Sequence, residues 1–436
     1  MKRKIEATLD AWFESKYGIL VYGTRQVGKT YILDKYAKEH FDNYVYINLF
    51  ENKTAVKVLN ESTDPKDFLF RLSVLTNAKL IPGKTVVFID EIQELKDYDI
   101  VTTMKFLVSE GQYRYMLSGS MLGVELRDVN SWPVGYMIEK TLYPMDFEEF
   151  LWANGIHQET IDHVRNCFDK KTAVEDYLHD KMMDLFTKYL LVGGMPDAVK
   201  AYVETNDLNK VSLAHAAIYK INRRDVAKYA SEAEKLFIKE IFDLIPAELN
   251  TQTKRFRLND IEGKKKSDDT KSSFVWLKDA GAAIPCYTVK APQTPLVATS
   301  DRTILKLFLY DTGILTYALM DSTIKTRLLS GDDGINFGSI YENVVAQSLS
   351  AHDFERLFYY NSKKYGEVDF LVEHQGKVLP LEIKSGKDYK RHSALNKLLS
   401  MDDYGIAEAY IFCNANYSKN GTCHYFPIYM IDFLRK

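Results

Sequence analysis

Two groups of residues in this chain have the types and spacing for chemistry. The first is Gly23-Thr24-Arg25-Gln26-Val27-Gly28-Lys29-Thr30, which satisfies G-x-x-x-x-G-K-[ST] between an apolar run and a helical pattern. Glycines let such a loop curl so that successive backbone N–H groups face phosphate oxygens, and the helix that follows adds a favourable dipole. In that frame Lys29 would neutralise β/γ-phosphate charge and Thr30 would ligate Mg²⁺. The apolar run 85–89 ends in Asp90-Glu91, where the first acid suits the Mg²⁺ shell and the second suits orientation and activation of water. The bland readings are a chance Gly-rich turn and an acidic helix cap, and each loses weight because the other motif is present. Together the motifs imply binding and hydrolysis of ATP with Mg²⁺. Ser118, following the run 113–117, stands either as a sensor of the γ-phosphate or as a turn serine. Arg25 either touches phosphate or braces the loop.

The second group lies near the other end of the chain, in the runs 367–372 and 378–384. If these pair as a hairpin through His374-Gln375-Gly376, side-chain alternation puts Glu382 and Lys384 on one face, where Asp369 on the neighbouring strand can meet them. Glu342, on a helical stretch before them, would be a fourth member. The bland alternative is an exposed Glu–Lys pair on an edge strand.

The elements that must hold these groups are legible as patterns. Runs 18–22, 44–49, 85–89 and 113–117 are short, apolar and separated by helix-like segments, which suits a parallel sheet buried on both faces. From about 155 to 225 the pattern is helical, broken at Gly193-Gly194-Met195-Pro196. Between about 226 and 320 an amphipathic stretch 232–245, a basic stretch and a helical candidate at 272–279 precede β-like residues 287–308, the order of a winged helix. The last segment opens with a helix at 340–350 and continues with strands 355–360, 367–373, 378–384 and 408–413.

Lys254, Arg255, Arg257, Lys264, Lys265, Lys266, Lys271 and Lys278 cluster in the middle segment. Such density suits phosphate contacts with DNA, and it equally suits a solvated face used for protein contacts. Overall charge names no partner, since the formal net value is −3. At 436 residues, with 46% hydrophobic and 27% charged, the chain has the balance of several globular domains and not of a disordered polymer. Cys167, Cys286, Cys413 and Cys423 are scattered without zinc-site spacing, which fits a reducing cytoplasm. No stretch has the apolar character of a signal peptide or membrane span, so a cytoplasmic location with no membrane partner is expected.

The phrases GTRQVGKT, FIDEIQ, LSGS, LYPMDFEEFL and YLLVGGMPDAV, in this order, resemble the AAA+-related prokaryotic ATPases that carry a C-terminal domain of long-unassigned function. The resemblance spans nearly the whole chain. One departure concerns Gly135, which is followed by Tyr136 where many relatives place an arginine; that puts an arginine finger there in doubt, and nearby Arg127 is either a substitute or a surface residue. The acid-on-helix, Asp, then Glu-x-Lys order resembles the PD-(D/E)XK nuclease superfamily. That resemblance implies Asp369 and Glu382 as Mg²⁺ ligands, Lys384 as activator of water or stabiliser of developing charge, and Glu342 as accessory acid. A nuclease fold does not by itself establish cleavage.

The expected class is therefore α/β and multidomain: a P-loop AAA+-type doubly wound sheet at 1–154, a helical lid at 155–225, a winged-helix segment at 226–325, and a restriction-endonuclease-like α/β domain at 326–436. The functional expectation is an ATPase coupled to a DNA-directed, metal-dependent nuclease-like domain, with a homo-oligomer or partner protein as a further candidate. Its rival is a nucleotide-dependent DNA- or protein-binding regulator whose last domain keeps only the fold.

Overall fold

A computed structural model describes residues 1–95, 98–119, 135–226, 232–251, 254–257, 274, 276–329 and 338–436. The chain divides into two compact units: residues 2–143 with 279–281, and Met1, 144–278 and 282–436.

The first unit is built on five parallel strands: β1 (Gly18–Tyr22), β2 (Asn43–Asn48), β3 (Thr85–Asp90), β4 (Arg114–Gly119) and β5 (Met137–Thr141), in the order β2-β3-β4-β1-β5. Alternation along each strand supplies two cores. Leu20, Val45, Ile47, Val87, Ile89, Tyr115 and Leu117 pack on one side. Ile19, Val21, Val86, Phe88 and Met116 pack on the other with Ile32, Leu33, Tyr36 and Ala37 of the helix Lys29–His40. Strands buried on both faces read as unbroken apolar runs, which is why their sequence signal was strong. The order also sets up a site, because β4 lies between β1 and β3 and brings three strand ends to one crevice.

The second unit begins with helices at Phe147–Ala153, Gln158–Asp169, Asp176–Val192, Pro196–Thr205, Leu208–Asp225 and Glu232–Leu249. The break at the paired glycines is as the pattern suggested: one helix stops at Val192 and the next starts with Pro196 at its first position, where no amide hydrogen is needed. The helix expected over 232–245 instead runs through Pro246 to Leu249, its last turn anchored by buried Ile245 and Leu249.

A nine-stranded mixed sheet follows. Its strands are β6 (Phe256–Arg257), β7 (Ala283–Val289), β8 (Ser300–Leu309), β9 (Leu357–Ser362), β10 (Gly366–His374), β11 (Lys377–Ile383), β12 (Ala409–Cys413), β13 (Ser418–Asn420) and β14 (Cys423–Pro427), ordered β13-β14-β12-β11-β10-β9-β7-β8-β6. The β7–β8 hairpin, read from sequence as a wing, is a continuation of this sheet: β7 pairs in parallel with β9, from Cys286 opposite Leu357 to Val289 opposite Tyr360. A division at 325/326 thus cuts across one sheet and not between two. The basic stretch 258–273 lies outside the described residues, as do Ser120 and Arg127. The helix Gly338–Ala351 is buried from Ser339 to Leu349, including Glu342, Asn343 and Gln347. Among the described residues no helix is long and apolar enough to cross a membrane.

Candidate functional site

The loop between β1 and the helix Lys29–His40 is held in a shape that needs its glycines. Gly23 has φ +155°, and a Cβ there would sit 2.2 Å from the Leu142 carbonyl oxygen. Gly28 caps the helix in the left-handed region at φ 98°, where a side chain would be strained. Arg3, buried in the same unit, donates to the Val27 carbonyl at 3.0 Å and to the Tyr143 carbonyl at 2.7 Å. It fixes the loop from behind, and nothing in the local sequence marked it.

Lys29 is buried and donates to the Gly23 and Thr24 carbonyls at 3.0 and 2.9 Å. Burial lowers its ammonium to about 8, against the pull of Glu91 and Asp90. A cation held by neutral carbonyls in a desolvated cradle is suited to an incoming polyanion. Asp90, the last residue of β3, collects its neighbours: Thr30 Oγ1 donates to Oδ2 at 2.8 Å, Tyr46 and Asn48 reach the same oxygen at 3.3 Å, and Ser118 Oγ donates to Oδ1. Burial raises the Asp90 carboxyl, with the Ser118 and Thr30 hydroxyls opposing that shift.

Immediately after the strand, Glu91 takes φ 59° and ψ 50°, an uncommon conformation for a glutamate. The turn separates the directions of the two successive acids, and Gln93 Nε2 donates to Glu91 Oε2. Thr24, Gln26 and Val27 complete the loop, Gln26 also at positive φ. Arg25 places its guanidinium 5.3 Å from the Phe50 ring centroid. Tyr136 accepts a backbone hydrogen bond from Gly18 at 2.9 Å and packs partly buried against the core.

In the second unit the paired strands behave as the pattern implied. β10 and β11 are antiparallel with Phe370 opposite Leu381, so one further step sets Asp369 across from Glu382 on a shared face. Asp369 Oδ2 accepts from the Ile383 amide at 2.8 Å, and Lys384 Nζ lies 2.8 Å from Glu382 Oε1. Burial pushes Asp369 well above the usual carboxylate range, and Glu382 and Glu342 push it further, with Lys306 and Lys254 opposing. Glu382 is raised too, by burial, and its Oε2 is buried without a hydrogen-bond partner.

Glu342 reaches the same cluster through two lysines. Lys254 donates to its Oε1, and Lys306 to its Oε2 at 3.1 Å. Lys306, fully buried on β8, also lies 2.7 Å from Glu367, which Arg255 pairs as well. Burial alone would strip Lys306 of its charge, but Glu342, Glu367 and Asp369 hold it well above its ordinary value. A lysine between Leu305 and Leu307, within the otherwise apolar run 304–309, was the available sequence signal for this centre.

A third cluster joins residues far apart in sequence. Asp146, His352 and Asp432 bring one ligand atom each to within 4.8 Å of the others, the three-residue group of this kind among the described residues. Their oxygens already have work: Asp146 Oδ1 caps a helix through the Glu149 amide at 3.0 Å, His352 Nε2 meets Asp146 Oδ2 at 3.2 Å, and Asp432 accepts from Ser348 Oγ at 2.7 Å and the Glu148 amide at 3.2 Å. The cluster is accounted for as a hydrogen-bonded knot tying three helical segments.

Comparison with known proteins divides the chain along similar lines. Residues 15–151 match the family model of an AAA domain, and residues 183–325 and 337–431 match models of two domains of unknown function, DUF8612 and DUF4143. An uncharacterized protein of Methanocaldococcus jannaschii is 25% identical over 371 residues, which cover 83% of this chain and 73% of that protein. Among solved structures, the Walker-type ATPase of Pyrococcus abyssi shares 14% identity over 73% of this chain and 96% of its own, with a TM-score of 0.42. The ORC1 protein of Aeropyrum pernix, solved in complex with DNA, shares 11% over 75% and 95%, with a TM-score of 0.33. The sheet, its phosphate loop and the AAA match agree: the first unit is an AAA-type P-loop ATPase fold.

Proposed function

We propose that the protein binds and hydrolyses Mg-ATP at the β1–β4–β3 crevice, and that nucleotide state controls a metal-dependent, DNA-directed nuclease-like centre at Asp369, Glu382 and Lys384. The observation that carries the first part is the convergence of Thr30 and Ser118 on the Asp90 carboxylate beside a buried, anion-seeking Lys29. Loop amides of residues 23–28 and the Lys29 ammonium would receive the β- and γ-phosphates. Thr30 and Asp90 would hold Mg²⁺, whose charge offsets that of the phosphates and of the raised carboxylate. Glu91, turned off the strand by its positive φ, orients water and accepts its proton; Ser118 stands where it can report the γ-phosphate.

The donor set of the second centre also fits a divalent cation. Asp369 and the partnerless Oε2 of Glu382 are paired carboxylates that a cation would stabilise, with Lys384 poised to stabilise charge developing on a phosphodiester. A cation there would supply Lewis acidity to the scissile phosphate. A second reading, a fold retained without cleavage, is favoured by charge balance: Glu342, Glu367, Asp369 and Glu382 face Lys254, Arg255, Lys306 and Lys384.

The test is plasmid and linear DNA incubated with Mg²⁺ or Mn²⁺, with and without ATP, alongside phosphate release. Metal-dependent cleavage lost in Lys384→Ala supports the proposal. ATP turnover with no cleavage leaves the retained-fold reading. No turnover removes the first part.

A further inference from the structure

The charge balance of the C-terminal centre has a structural consequence. Each oxygen of Glu342 is occupied by an ammonium, Lys254 on one side and Lys306 on the other, and Glu367 is shared by Lys306 and Arg255. A divalent cation entering this compensated cluster would leave it with excess positive charge in a desolvated place, which is costly unless a resident cation leaves. Lys306 cannot leave, since its side chain is 0% exposed and rises from the middle of a ten-residue strand. Lys384 directly follows the strand that carries Glu382, its amide bonded to the Phe412 carbonyl at 2.9 Å, and stays with that glutamate. Lys254 and Arg255 differ: their side chains are 23% and 18% exposed, and they precede a strand of only two residues, β6, on the sheet's edge.

We infer that Lys254 and Arg255 are displaceable internal counter-ions, which compete with a divalent cation for the acid cluster and are drawn off it by the phosphates of a nucleic acid. The inference rests on the metal-centre reading above. Coupling follows from linkage: a polyanion that captures the two basic side chains raises metal affinity, and bound metal frees the same side chains for phosphate by an equal factor. Glu342 and Glu367 then serve as holders of the resting cations, and metal loading awaits the substrate.

The test is calorimetric titration of the nucleotide-free full chain with Mn²⁺, using Asp369→Ala to identify heat from this centre. The double variant Lys254→Ala/Arg255→Ala is expected to bind Mn²⁺ about tenfold more tightly than the parent, the scale of one partly buried ion pair. That gain should disappear when Asp369→Ala is added. Lys254→Gln, which keeps the side chain's bulk and frees Glu342 Oε1, serves as a milder variant should the double one fold poorly, and it should show part of the gain. A short single-stranded oligonucleotide should raise the parent's Mn²⁺ affinity and leave the double variant's unchanged. Equal or weaker Mn²⁺ binding in both variants overturns the inference while the centre itself stands. No Asp369-dependent binding in parent or variants overturns the centre, and the inference with it.

Discussion

Lys29 is buried and donates to two carbonyls of its own loop, so replacing it removes a desolvated positive charge from the centre of that loop. Lys29→Ala is expected to weaken ATP binding by at least about a hundredfold, the scale of truncating one partner of a desolvated charge pair, as read by equilibrium titration with a fluorescent ATP analogue. Glu91→Gln keeps the shape of the side chain but cannot take a proton from water. It should bind ATP as the parent does and turn over about 10²- to 10⁴-fold more slowly; near-parental turnover would exclude Glu91 as the base. At this scale the loop 23–30 and the Asp90–Glu91 pair were legible because each is a local phrase of a few residues. Arg3 was not, since it reaches across 24 residues to Val27 and 140 to Tyr143. Lys306 was hidden for the same reason: its two glutamates lie on a helix and a strand that sequence order does not place beside β8.

The phrases LYPMDFEEFL and YLLVGGMPDAV, noticed first as family marks, meet in the second unit as one joint between elements. The Met145 amide donates to the Gly194 carbonyl at 2.7 Å, Tyr189 OH donates to the Met145 carbonyl at 2.8 Å, and the Gly194 amide donates to Asp311 Oδ2 at 2.6 Å. A Cβ on Gly194 would lie 2.0 Å from the Met145 carbonyl oxygen, backbone against backbone with nothing flexible to yield. Gly194→Ala is thus expected to cost about 2–3 kcal/mol in a denaturant titration, within the range for forced overpacking. Close by, His215 Nε2 bonds the Val192 carbonyl at 2.8 Å while Nδ1 is buried without a partner. Burial, then the Lys325 charge, lowers this imidazole to about 3 from 6.5. The depressed value means the unfolded chain takes up a proton that the folded one refuses. The stability is therefore full above pH 6.5 and is lost as pH falls toward 3. Over that window the parent should lose roughly 3–5 kcal/mol more than His215→Gln, measured by thermal melts at stepped pH; parallel pH profiles would remove His215 from the account.

For the molecule as a whole, what the sequence conveyed depended on how local the pairing is. Four of the five strands of the first unit's parallel sheet were found as apolar runs, β1 spanning 18–22 as read, whereas β5, with Glu139 and Lys140 inside it, was not among them. The β7–β8 hairpin was visible as well, but its parallel pairing with β9 joins residues about 70 apart in sequence, as Cys286 with Leu357, and periodicity carries no trace of that choice. A linked activity makes a demand at this same scale. If nucleotide state controls the C-terminal centre, cleavage must differ between ATP-bound and ATP-free protein, and a ligand shifts an equilibrium only by its unequal affinity for the two states. In the parent, then, metal-dependent DNA cleavage should change severalfold on adding ATP. In Lys29→Ala, which retains Asp369, Glu382 and Lys384 but cannot hold the nucleotide, the cleavage rate should stay at the ATP-free value at ATP concentrations that saturate the parent. Asp369→Ala should do the reverse, losing cleavage and continuing to release phosphate. A parent whose cleavage is indifferent to ATP, or a Lys29→Ala variant that still responds to it, would uncouple the two centres.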